Sequence, residues 1–123
     1  MTHGAEAVMT LYRERINAHR FDDLVALIAP DAIFWFGDGS HVGLSAIRAA
    51  FEATWARLAD ETYWLDNLQW LAAADAAAIC CYRFHWQATI DGALAGGHGR
   101  GTSVLRLAPA GWQIVHEHLS SEP

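Results

Sequence analysis

Residues 76–120 read AAAICCYRFHWQATI, DGALA, GGHGRGTSVLRLA, PAG and WQIVHEHLS, and this stretch decides the fold. Three strand-like runs alternate with turn-forming pieces, Asp91-Gly92 and Pro109-Ala110-Gly111. The spacing predicts strands over Ala76 to Ile90, Gly96 to Ala108 and Trp112 to Ser120, joined as an antiparallel meander. A three-residue turn at Pro109-Ala110-Gly111 pairs Ala108 with Trp112, Leu105 with Val115, Ser103 with Glu117 and Gly101 with Leu119. A five-residue loop from Asp91 to Ala95 pairs Ile90 with Gly96, which sets Cys81 beside Leu105, Arg83 beside Ser103 and His85 beside Gly101. Period-two alternation then gathers Cys81-Leu105-Val115, Arg83-Ser103-Glu117 and His85-Gly101-Leu119 on one face. The other face carries Tyr82, Phe84, Trp86, Val104, Ile114, His116 and His118, together with Cys80, Arg100, Thr102, Arg106 and Ser120. Buried there, Arg106 would lack a partner, whereas Arg83 finds Glu117 across Ser103. The Arg83-Ser103-Glu117 face is therefore read as concave.

Upstream, Tyr63 to Ala73 adds a strand that turns at Ala74-Asp75, and before Asp60 the period becomes helical. Ala5, Val8, Met9, Tyr12 and Ile16 recur at helical spacing between Ala5 and His19, with Arg13, Glu14 and Arg15 between them. A short second helix opens at Phe21-Asp22-Asp23, runs through Leu24, Leu27 and Ile28, and closes at Pro30. Ala32 to Phe36 reads as a strand cut by Gly37-Asp38-Gly39-Ser40. A third helix over Leu44 to Ala59 sets Leu44, Ile47, Phe51, Trp55 and Leu58 on one face. Helices first and a meander afterwards predict an α+β cone, with three N-terminal helices packed in the concavity of a curved, mainly antiparallel sheet. With no repeat, linker or low-complexity tract, residues 1–123 are expected to form a single domain.

Eight basic against fourteen acidic residues give a formal charge of -6, which argues against nucleic acid and anionic membrane surfaces as partners. The start, Met1-Thr2-His3-Gly4, followed by Arg13, Glu14 and Arg15, is not a secretory leader, and no run approaches the ~18 apolar residues of a spanning helix. Cys80 and Cys81 are neighbours on a strand and point to opposite faces, so a bridge between them would be strained. Reduced thiols and a cytoplasmic location are expected. His116 and His118 share a strand face, as in some zinc sites, but the register places no third ligand beside them. No metal and no cofactor are expected. Gly96-Gly97-His98-Gly99-Arg100-Gly101 mimics a nucleotide loop, yet it lies between strands and opens no helix. Its glycines are read as letting a strand bend around the helix.

Three segments go further: Phe21-Asp22-Asp23-Leu24 through Pro30-Asp31-Ala32, Gly43-Leu44-Ser45-Ala46-Ile47, and Gly111-Trp112-Gln113-Ile114-Val115-His116-Glu117-His118-Leu119-Ser120. With them the chain resembles the nuclear-transport-factor-2-like superfamily over nearly its whole length, most closely the SnoaL-like branch. The same ending, with Asp75-Ala76-Ala77 and Phe51-Glu52-Ala53-Thr54-Trp55, is similar to the hub domain of calcium/calmodulin-dependent kinase II. Of the arginines in the hub pocket, Arg83 matches one, while two others fall on Ser103 and Leu119. Ketosteroid isomerase is the catalytic relative. Its oxyanion-donating tyrosine matches Tyr12, but its general-base aspartate falls on Phe36 and its protonated aspartate on Ser103. Phenylalanine cannot take a proton, so steroid isomerisation by that mechanism is not expected. SnoaL-like cyclases use an acidic residue in such a pocket, and Glu117 is the one inward carboxylate in the register. The resemblance implies that Tyr12, Phe36, Phe51 and Trp55, otherwise ordinary core residues, line a ligand pocket.

Two functions stay open. The first is a small isomerase, cyclase or dehydratase acting on a hydrophobic carbonyl compound, with Glu117 as acid or base, Tyr12 as oxyanion donor and Arg83 as tuner or anchor. His85, Ser103, Phe36, Phe51, Trp55, Ile16, Val115 and Leu119 would contact the ligand. The second is a binding or assembly module that holds a small organic acid against Arg83. The charge state of Glu117 separates them: a raised pKa in an apolar pocket favours catalysis, a tight pair with Arg83 favours anchoring. A homodimer is expected through the outer sheet face, around Tyr82, Phe84, Trp86, Val104, Trp112, Ile114, His116 and His118.

Overall fold

A computed structural model describes residues 4–122; Met1 to His3 and Pro123, and with them part of the reading of the N-terminus as no leader, lie outside the described residues. Six strands form one sheet: β1 (Ile28–Phe36), β2 (Gly39–Val42), β3 (Thr62–Ala73), β4 (Ala77–Ile90), β5 (Ala93–Ala108) and β6 (Gly111–Ser121). Their order is β2-β1-β6-β5-β4-β3, antiparallel throughout except for the parallel pair β1 and β6. Helices α1 (Ala5–Arg15) and α2 (Leu44–Arg57) fill the concavity of this sheet, as the change of period near Asp60 predicts. No helix among the described residues is long and apolar enough to cross a membrane.

The helical segment is tighter than its sequence pattern suggests. Helix α1 buries Ala5, Val8, Met9 and Tyr12, then narrows into a 3-10 turn over Ile16–Ala18, and His19 ends it in the left-handed region. The second predicted helix is two 3-10 turns, Phe21–Asp23 and Val25–Leu27. They bury Phe21, Leu24 and Leu27, and the chain is already extended at Ile28, before Pro30. Pro30 falls inside β1 where the register with β6 shifts between Ile28 and Ile33, a place that needs no ladder donor. Gly37 and Asp38 turn the chain into β2, making a hairpin of what reads in sequence as an interruption.

The meander departs from the predicted register at both turns. Asp91 and Gly92 have φ of 51° and 80°, so they form a two-residue turn of the Asp-Gly kind that suits a twisted hairpin. Ile90 pairs with Ala93, and the ladder runs on as Trp86 with Gly97, Phe84 with Gly99, Tyr82 with Gly101 and Cys80 with Ser103. This is three residues from the predicted pairing. An odd slip inverts the faces, so Tyr82 and Phe84 point into the core while Arg83 and His85 lie on the convex side. At the last turn Ala108 pairs with Gly111, also tighter than expected, but a bulge at Val115 restores Ser103 opposite Glu117 and Gly101 opposite Leu119. Arg106, the residue that argued against burying this face, is on the convex side and bonds Asp31 at 3.0 Å.

The glycines of β5 make room for the aromatic residues of β4. A Cβ at Gly97 would stand 2.5 Å from the Trp86 indole nitrogen, and at Gly99 or Gly101 it would collide with the ring of Phe84 or Tyr82. Three rings thus lie flat across the neighbouring strand, and only a strand without side chains at alternate positions admits them. Gly101→Ala should therefore destabilise the fold by about 1–3 kcal/mol through overpacking. Gly37→Ala, where nothing lies within 4 Å, should be close to neutral. Urea unfolding of both variants beside the unaltered protein measures the contrast.

Candidate active site

Glu117 sits at the middle of β6, between Phe34 of β1 and Ser103 of β5, with its side chain on the concave face. It is 1% exposed, and Ser103 beside it is fully buried. Two phenols reach its carboxylate from different elements. Tyr12, on the inward face of α1, donates to Oε2 at 3.3 Å. Tyr82, lying over Gly101, donates to Oε1 at 3.4 Å, and its own oxygen is 2.8 Å from Ser103 Oγ. Since Tyr82 spends its proton on Glu117, Ser103 is the donor to Tyr82.

No cation among the described residues balances this carboxylate. Arg83 binds Glu122 at 2.6 Å on the convex face, and His85 lies 3.1 Å from Asp66 there, stacked on Trp64. Burial pushes the Glu117 carboxyl from its ordinary 4.5 up to about 7, and the hydroxyls of Tyr12, Tyr82 and Ser103, the last acting through Tyr82, hold it back from rising further. Burial first, and the nearby Glu117 charge second, push Tyr12, Tyr63 and Tyr82 well above the ordinary phenol range, so all three stay neutral donors. The same causes raise the Cys80 thiol to about 12, which removes it as a thiolate nucleophile near neutral pH.

Glu117 borders a cavity of about 450 Å³, walled mainly by Phe51, Trp55, Tyr63, Phe84 and Trp86. Exposed Asp38, Arg57 and Ser121 mark its open side. Of the residues expected from sequence, Tyr12, Ile16, Phe36, Phe51, Trp55, Glu117 and Leu119 line it. Ser103 lies beneath the lining, bonded to Tyr82, and Val115 is taken up by the bulge of β6. Arg83 and His85 are corrections: the two-residue turn at Asp91-Gly92 carries both to the convex face, away from Glu117. The residues missed are Tyr63, Tyr82, Phe84 and Trp86. The signal for the last three was the alternation of Tyr82, Phe84 and Trp86 with Arg83, His85 and Gln87, which is apolar on one side and polar on the other. His116 and His118 stand on the convex face beside the edge of Trp35, and no cluster of three or more possible ligands for a metal ion occurs among the described residues.

The raised carboxyl has a consequence for stability. Glu117 binds its proton more tightly when folded than when unfolded, so its contribution is full below about pH 4.5 and is lost as pH rises through about 7. That interval corresponds to about 3 kcal/mol at ~1.4 kcal/mol per pH unit. Glu117→Gln should remove this dependence and be the more stable protein at about pH 8. Urea unfolding of both proteins from about pH 4 to 8 measures the difference, and parallel stability curves would contradict it.

A comparison with curated proteins returns no match. Solved structures do match. A nuclear transport factor 2 (NTF2-like) superfamily protein from Salmonella enterica serovar Typhimurium superposes with a TM-score of 0.85 at 23% identity, over 94% of this chain and 87% of that one. A protein from Streptomyces avermitilis, provisionally labelled a dehydratase of the NTF2-like family, gives 0.83 at 17%, over 96% and 94%. The CaMKII hub of S. rosetta gives 0.80 at 18%, over 94% and 92%. At these identities the likeness establishes the fold. The profile of the SnoaL-like domain matches residues 5–122, from the first turn of α1 to the end of β6. That match takes in every element that builds the cavity and its carboxyl, and the chain belongs to the SnoaL-like domain family, with the NTF2-like fold.

Proposed function

We propose that this chain is a small enzyme of the isomerase, cyclase or dehydratase kind, acting on a hydrophobic carbonyl compound with Glu117 as its proton-transferring group. The observation that carries this reading is a buried carboxyl, without a cation beside it among the described residues, held near pKa 7 at the wall of an aromatic cavity. A group with that pKa divides its population between acid and base near neutral pH, where proton transfer is most effective. Ionised Glu117 takes a proton from the carbon beside a carbonyl, leaving an enolate. Protonated Glu117 then returns the proton to another carbon, which isomerises the compound, or to a departing hydroxyl, which dehydrates it. Both steps use only the chain's own residues. The dehydratase label on the Streptomyces avermitilis structure is in keeping with this chemistry. A binding role against Arg83 loses its anchor, because that arginine is on the other face of the sheet.

Exchange of the α-protons of 2-tetralone with deuterium oxide, followed by NMR, tests the proposal. The protein should accelerate exchange, with the rate rising through about pH 7 as Glu117 ionises. Glu117→Gln should lose about 100-fold or more of that rate. Exchange that is indifferent to this substitution would remove Glu117 as the base.

Self-association through the convex face is the second part of the proposal. Tyr82, Phe84 and Ile114, expected there from sequence, are buried inside, and Trp86 lines the cavity. What the face does expose is Ile33 at 39%, Trp35 at 44% and Trp64 at 39%, among Val104, His116 and His118. Apolar surface of this kind marks a contact site, and a hub is among the similar structures. Trp35→Asp should convert a dimer into a monomer in sedimentation at micromolar concentration without changing the cavity; an unaltered protein that sediments as a monomer would contradict the dimer.

A further inference from the structure

Two phenols line the cavity, and they are not equivalent. Tyr12 has its hydroxyl committed to Glu117. Tyr82, which is outside the lining, is committed to Glu117 and Ser103. Tyr63 has no protein partner for its hydroxyl among the described residues, although the rest of the residue is firmly held. Its N–H donates to Asn17 Oδ1 at 2.8 Å, and Asn17 Nδ2 donates back to its carbonyl at 3.0 Å. Its ring stacks on Phe84 with centroids 6.1 Å apart and planes 20° apart. A donor fixed through backbone and ring, with its hydroxyl left unfilled at a cavity wall, is preorganised for something that enters the cavity.

We infer that Tyr63 is the substrate-facing donor of this site, presenting its phenol to the carbonyl oxygen of the compound whose proton Glu117 moves. Tyr12, the residue that takes this role by resemblance to ketosteroid isomerase, serves here as a positioning residue for Glu117. Burial and the Glu117 charge keep Tyr63 protonated, as a donor must be. The inference rests on the proposed reading of Glu117 and adds to it the residue that meets the developing oxyanion. It also restricts the substrate to compounds whose carbonyl oxygen reaches β3 while the adjacent carbon faces β6.

Binding of 2-naphthol and naphthalene by calorimetry separates the possibilities, because the two probes differ only by the oxygen that Tyr63 would meet. The unaltered protein should bind 2-naphthol the more tightly. Tyr63→Phe should weaken 2-naphthol about tenfold, or about 1.4 kcal/mol, and leave naphthalene within about twofold. Retained naphthalene binding also shows that the variant is folded. An unaltered protein with no preference between the probes, or a Tyr63→Phe variant that binds 2-naphthol as before or weakens both probes alike, overturns the inference and leaves the proposed role of Glu117 standing. An unaltered protein that binds neither probe overturns both.

Discussion

Everything in this structure is arranged around a carboxyl that has been taken out of water without a counter-charge. Removing an ionised carboxylate from solvent is costly, and proteins usually meet that cost with a cation or by letting the group go neutral. Glu117 has no cation beside it among the described residues, so its pKa rises, and the tyrosine and serine hydroxyls limit the rise. The same desolvation that weakens the fold above neutral pH supplies a group able to take and return protons near it. Stability and proposed function therefore pull in opposite directions on one residue.

The hydroxyls that hold Glu117 depend on packing far along the sheet. Tyr82 can reach the carboxylate because Gly101 lets its ring lie across β5, and Gly99 and Gly97 do the same for Phe84 and Trp86. Two of those three rings then form cavity wall. A nucleotide-like run of glycines thus has a packing role: it thins one strand so that the next can send aromatic rings over it. Helix α1 supplies the other hydroxyl, and the narrowing of its last turn, ended by left-handed His19, brings Asn17 to the backbone of Tyr63.

The fold was legible because its evidence is redundant: helical spacing in the first 60 residues, turns at Asp91-Gly92 and Pro109-Ala110-Gly111, and the segments that resemble the SnoaL-like branch. The site was legible only where errors cancelled. Reading a three-residue turn where the chain makes a two-residue one would have displaced Glu117 from Ser103, but the bulge at Val115 absorbs the extra residue. No bulge compensates in the β4–β5 hairpin, so an odd slip put Arg83 and His85 inside and Tyr82 and Phe84 outside. Bulges add or remove one residue with little trace in composition, while a strand with period two reverses completely on a single step. The β1–β2 hairpin escaped for a related reason, since Gly39-Ser40-His41-Val42 holds a single large apolar residue, too little pattern to announce a strand. In sequence Tyr63 reads as the start of a strand and nothing more, because its value lies in an unfilled hydroxyl that only three-dimensional packing reveals.

The central claim is the charge state of Glu117, and it can be observed directly. With ¹³C-labelled glutamate, the side-chain carboxyl of Glu117, assigned by its loss in Glu117→Gln, can be followed by NMR from about pH 4 to 9. The account predicts a midpoint near 7. A midpoint at or below the ordinary 4.5 would contradict it, since the carboxylate would then be a stably ionised structural group and not a proton carrier.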